Sequence, residues 1–138
     1  MYIFETTYIE FFIKYCTKVN IATISPKMVL DNWSIFVNEL EKGYEETPYE
    51  FSDDLDINRT YIDTFLFSQE LSMFESHKVF CSEVAKIDNL FKSLTIEYPK
   101  WKSIGHWTQS RLLKKGSKEY TEPLLHFYKE LSFIPKSI

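Results

Sequence analysis

Glycine, proline, cysteine and histidine are all scarce in this chain, and each shortage excludes something. Three Gly and five Pro in 138 residues rule out collagen-like and low-complexity character, and they leave too few turn residues for a protein built of tight hairpins. The two cysteines, Cys16 and Cys81, make neither a zinc spacing nor a redox CxxC. They read as small buried hydrophobes in a reducing compartment. His77, His106 and His126 lie in separate segments, with no i, i+4 pair and no neighbouring Cys, so no metal site is expected. Gly43, Gly105 and Gly116 are isolated, and the chain contains no P-loop, GxGxxG or GxSxG. No cofactor and no catalytic residue is therefore expected, and the chain reads as a non-enzyme.

Long hydrophobic runs are also missing. The most apolar early piece, YIEFFIKYC, is interrupted by Glu10 and Lys14 and is too short to span a bilayer. No basic start followed by an apolar run and a small-residue cleavage site is seen, which points to a cytoplasmic protein without a membrane partner.

What is present is core material and unevenly placed charge. Hydrophobic residues make up 44% and aromatics 17% of the chain, enough for one domain over 1–138 without a staple. Net charge is −4, but its halves oppose each other. Glu39 to Asp63 holds nine acids against Lys42 and Arg59, a net −7. Pro99 to Lys136 holds eight bases against Glu119, Glu122 and Glu130, a net +5. Such asymmetry suits recognition of a partner by charge.

Apolar periodicity predicts helices throughout. Thr7 with Glu10 suits a capping box, followed by Ile9, Phe12, Ile13 and Cys16 in a helix near 8–18; Met1–Phe4 is compatible with a strand. Ser25-Pro26 starts a helix over 26–42, with Val29, Trp33, Phe36, Val37 and Leu40 as its stripe and Gly43 as its stop. Thr47-Pro48-Tyr49-Glu50 repeats the start. Beyond it, Asp56 either caps a new helix or the chain continues to about residue 68. A break at Ser72–Phe74 precedes the stripe Phe80, Val84, Ile87, Phe91 and Leu94, which Tyr98-Pro99 ends. Trp101–Leu113 reads as another helix weakened at Gly105. Lys114–Ser117 reads as a turn, and Thr121-Glu122-Pro123 starts a last helix that Pro135 ends. The sum is an all-α fold, a single compact bundle of about six helices with short loops.

Two stretches carry candidate function. The first is Tyr44, Glu45, Glu46, Tyr49, Glu50, Asp53, Asp54 and Asp56, with Tyr61 further on. DDLDINR lacks the alternating ligands and central Gly of a calcium loop. Tyrosine among carboxylates suits a protein interface, combining contact area with steering of a basic partner. The second is WKSIGHWTQSRLLKKGSKEY, where bases and aromatics together resemble a nucleic-acid surface. Overall acidity weighs against that alternative, because phosphate contacts dominate such binding.

The run W-x2-F-x3-L-x2-GY, made by Trp33, Phe36, Leu40, Gly43 and Tyr44 and followed by FSDDLDINR, resembles small bacterial immunity proteins that accompany polymorphic or contact-dependent growth-inhibition toxins. The resemblance covers about residues 33–62. It implies a cytoplasmic protein that binds a cognate toxin domain, often a nuclease, and blocks its active site.

Overall fold

The first helix, α1 (Thr6–Lys18), does not use the Thr7/Glu10 capping box. Its N-cap is Glu5, whose side chain makes no cap bond. Instead the Glu5 backbone N–H donates to Ser76 Oγ at 3.1 Å. A residue 71 positions away thus supplies a partner that local chemistry could have supplied. The computed structural model describes residues 3–103 and 105–138; Met1 and Tyr2 of the expected Met1–Phe4 strand lie outside them, and Ile3 and Phe4 are not in a strand.

Helix α2 (Pro26–Lys42) follows the sequence expectation closely. Ser25 Oγ accepts from the Met28 N–H at 3.2 Å, Pro26 occupies the first turn, and Val29, Trp33, Val37 and Leu40 are buried. Gly43 ends it at φ +109°. The position is tight as well as left-handed, since a Cβ built there would lie 2.4 Å from Ile138 Cγ1.

Helix α3 (Pro48–Leu55) opens on a complete Thr47/Glu50 capping box. Asp56 does not cap a new helix. Its φ of −63° and ψ of −43° are helical, and the chain runs on through a π turn (Asp56–Thr60) into α4 (Ile62–Leu66). The π turn inserts an extra residue into the helical run and carries the buried Arg59. A 3₁₀ turn (Leu71–Met73) fills the expected break and leads to α5 (Glu75–Ser93), which buries Phe80, Val84 and Phe91. This helix ends before Tyr98-Pro99, because Thr95 turns its hydroxyl back onto the Phe91 carbonyl at 3.0 Å and begins a strand.

The largest departure from expectation is at Trp101–Leu113, which is not a helix. β1 (Thr95–Glu97) pairs antiparallel with β2 (Arg111–Leu113), Ile96 opposite Leu112. Between them lie 3₁₀ turns at Pro99–Trp101 and Trp107–Ser110. The physical reasons are local. Gly105 sits at φ +73°, outside helical geometry, and Arg111–Leu113 finds its backbone partners in β1, with the adjacent Leu112 and Leu113 both buried, as a short strand enclosed on both faces allows.

Helix α6 (Lys118–Thr121) begins after Ser117, earlier than Thr121. It passes Pro123 through a 3₁₀ step (Glu122–Leu124) into α7 (Leu125–Glu130), burying Tyr120, Leu124 and Tyr128. It stops before Pro135, with Ser132 at φ +52°. Among the described residues the fold is mostly α-helical, with five continuous helical runs rather than six and one two-stranded sheet. The buried side chains form one cluster in which Trp33, Phe12, Phe65, Phe80 and Phe91 are fully enclosed. Cys16 is buried and Cys81 half-buried, both as free thiols. No described helix is long and apolar enough to cross a membrane.

Candidate functional site

The eight residues of the acidic stretch separate into two groups once folded. Tyr44 is buried, and Asp54, half-exposed, holds it. Tyr44 is 9% exposed, its ring meets Phe51 edge-on at 5.1 Å and Tyr120 at 5.9 Å, and its hydroxyl donates to Asp54 Oδ2 at 2.6 Å. Burial, then the Asp54 hydrogen bond, hold this phenol far above its ordinary range, so it acts as a neutral donor. Tyr44, expected among the partner-facing residues, is thus mostly buried and supports the groove wall from below.

Glu45, Glu46, Tyr49, Glu50, Asp53 and Asp56 remain exposed. Tyr49, Asp53 and Ile57 follow each other at i, i+4, i+8 up one outward row of α3 and the π turn, with Tyr49 76% and Ile57 70% exposed. Glu50 has a folding duty too, since Oε1 accepts from the Thr47 hydroxyl at 3.0 Å and the Thr47 N–H at 3.4 Å. Its carboxylate acts on the neighbouring carboxyl of Glu46. The Glu46 carboxyl is accordingly held above its usual range, and Glu50, stabilised by Glu46 and Thr47, below it.

Beside this row, between the end of α2 and α3, runs a groove of about 570 Å³. Four carboxylates (Glu39, Glu45, Glu46 and Asp54) line it against the single cation Lys42, with Phe36, Leu40 and Tyr44 at its apolar side. One of these acids comes from α2 and three from across the Gly43 turn. The concavity is thus a product of helix packing, and one sign of charge concentrated in a cleft focuses its field outward.

A polar network that the sequence reading missed lies beneath the same helix. Arg59, 2% exposed, donates from Nε and Nη2 to the two oxygens of Asp88, each at 2.9 Å, and from Nη1 to Asp63 Oδ1 at 2.7 Å. Trp33 Nε1 donates to Asp88 Oδ1 at 2.9 Å. His106 Nε2 lies 2.9 Å from Asp63 Oδ2, and its Nδ1 lies 2.9 Å from the Thr108 hydroxyl and faces the Thr108 N–H. Both nitrogens of His106 are engaged, and the group braces the loop after β1 against α4. A signal existed: Arg59 stands four residues after Leu55 and three before Ile62, and Asp88 four after Val84 and three before Phe91. Two opposite charges on two apolar stripes are a buried pair in waiting.

In the basic third, the aromatic rings and two of the bases have packing partners. Trp101 meets Tyr98 at 4.8 Å and Phe127 at 4.7 Å. Trp107 lies between Arg59, 5.7 Å from its centroid, and Lys92, at 5.0 Å. Arg111 donates to Thr95 Oγ1 and Lys114 to the Ser93 carbonyl. These rings hold the sheet and α7 in place. Among the described residues no three His, Cys, Asp or Glu side chains are grouped to hold a metal ion.

Compared with protein-family models, with curated proteins and with solved structures, the chain matches none of them.

Proposed function

We propose that this protein is an immunity-type inhibitor that binds a basic protein domain, a cognate toxin, through the α2–α3 groove and the outward row of α3. One observation carries the reading: four carboxylates against one lysine in the 570 Å³ groove, bordered by the exposed side chains of Tyr49 and Ile57. Charge alone would steer a partner without holding it. Tyr49 and Ile57 supply the apolar contact area that desolvates on docking and slows dissociation. A nuclease partner fits because its phosphate-binding cleft is basic, and a carboxylate groove offers the same sign of charge as its substrate.

The test uses the toxin domain encoded beside the gene for this chain, with affinity measured by calorimetry at low and moderate salt. Charge reversal at Glu45, Glu46 and Asp53, which have no capping or core duty, should weaken binding at least about tenfold and flatten its salt dependence. Unchanged affinity in the reversed protein, or binding of generic DNA or RNA at physiological salt, would overturn the reading.

A further inference from the structure

On the other side of α3 from the acidic groove is a second cavity, of about 540 Å³, between the π turn and the 105–109 segment. Its lining joins Asp56 and Thr60, the first and last residues of the π turn, to Trp101, His106 and Gln109. Gly105 forms its rim, and nothing lies within 4 Å of where a Cβ on that glycine would stand, so the mouth is open there. Among the described residues no lysine or arginine lines it.

Most polar groups of the wall are already partnered. Gln109 accepts from Ser52 Oγ at 2.8 Å and donates to the Ser52 carbonyl at 2.9 Å and to Asp56 Oδ1 at 3.3 Å. Thr60 donates to the same Asp56 oxygen at 3.0 Å. His106 is engaged at both nitrogens, by Asp63 and by Thr108. These bonds fix the Asp56 carboxylate through Oδ1 and leave Oδ2 for a ligand. What remains on offer is one oriented carboxylate next to an indole, with walls that need no further partners.

We propose that this cavity receives an arginine side chain of the basic partner. This rests on the binding function proposed above and deepens it. A guanidinium is planar, keeps its charge when partly desolvated, stacks on aromatic surface and pairs with a carboxylate through its edge. Lysine, a strongly hydrated point charge, gains less from the indole. The same fold already makes the pairing internally, where the Arg59 guanidinium lies over Trp107 and is held by Asp63 and Asp88. The cavity presents the same chemistry facing outward: Trp101 for the ring and Asp56 for the edge. The acidic groove and this cavity flank α3 on its two sides, so a partner seated on Tyr49 and Ile57 would reach both.

The test is a titration of the isotope-labelled full chain with N-acetyl-arginine methylamide, followed by NMR at the Trp101 indole N–H and the Gln109 side-chain amide. N-acetyl-citrulline methylamide, of the same shape without the charge, is the control. The arginine probe should shift both signals saturably, with citrulline binding about two- to fivefold weaker, the scale of one solvent-accessible charge pair. Asp56→Asn keeps the Oδ1 acceptor and the fold, and should cost a similar factor. Equal shifts from both probes, or an arginine response unchanged in Asp56→Asn, would overturn the proposal. So would shifts confined to Glu45–Asp54 with Trp101 silent, which would leave the acidic-groove reading intact. Conversely, a Trp101 response together with undiminished toxin binding after reversal of Glu45, Glu46 and Asp53 would retain this site and remove that reading.

Discussion

Arg59 and Asp88 face each other through two parallel hydrogen bonds of 2.9 Å, deep under the helix that displays the acidic surface. The pair joins the π turn to α5, and Asp63 and Trp33 complete its shell. Removing Asp88 leaves a guanidinium enclosed with only one carboxylate. Asp88→Ala should therefore cost about 3–5 kcal/mol in urea unfolding, as expected when one member of a buried ion pair is deleted. A loss under about 1 kcal/mol would mean that water reaches Arg59 in the native protein.

The contact of Tyr44 with Asp54 is smaller in consequence. Tyr44→Phe keeps the ring packing on Phe51 and Tyr120 and removes only the 2.6 Å hydrogen bond. A bond to a charged acceptor contributes about 1.5–3 kcal/mol, and because Asp54 is half-exposed the lower end applies. Denaturant midpoints of the two proteins check this; an equal midpoint would show that the phenol has no anchoring role.

Gly43 faces two separate demands, a φ of +109° and the side chain of Ile138. Gly43→Ala should destabilise by about 1–3 kcal/mol from backbone strain alone, plus the clash. In an Ile138→Ala background the clash disappears and the strain stays, so the cost should be smaller but not zero. Equal costs in both backgrounds would show that Ile138 moves aside freely.

His77 gives the fold an acid-side weakness. It is buried, its Nδ1 is hydrogen-bonded to the Tyr8 hydroxyl at 2.8 Å, and its Nε2 lacks a well-formed hydrogen bond. Burial holds its pKa below the usual value, partly offset by the Leu66 carbonyl. The unfolded chain, with histidine near about 6.5, then binds a proton that the folded chain resists. Stability is complete above that value and falls as pH drops below it. The urea midpoint should decline between pH 7.5 and 5.5 in the natural protein, and decline less in His77→Gln. The same decline in both would assign the acid sensitivity elsewhere.

Local chemistry made much of the fold legible in the sequence. Ser25-Pro26 and Thr47-Pro48-Tyr49-Glu50 carry their own helix starts, and the α2 and α5 stripes repeat at 3.6 residues whatever surrounds them. The exposure of Glu45, Glu46, Tyr49, Asp53 and Asp56 was legible as well, since charges dense enough to exceed any pairing must face water.

Tertiary structure decided the rest. Thr95, Leu112 and Leu113 became strand because each found a partner across a sheet, an interaction at a distance of more than a dozen residues that no window of helical spacing contains. Ser76 replaced the Thr7/Glu10 cap for the same reason. Tyr44 turned inward because Asp54 and Tyr120 arrive beside it only after α3 and α6 have packed. Arg59, counted in sequence as one positive charge within an acidic block, became the bracket beneath it once Asp88 came within reach. Periodicity records which face of an element avoids water; which groups meet on that face depends on the packing of elements remote in the chain.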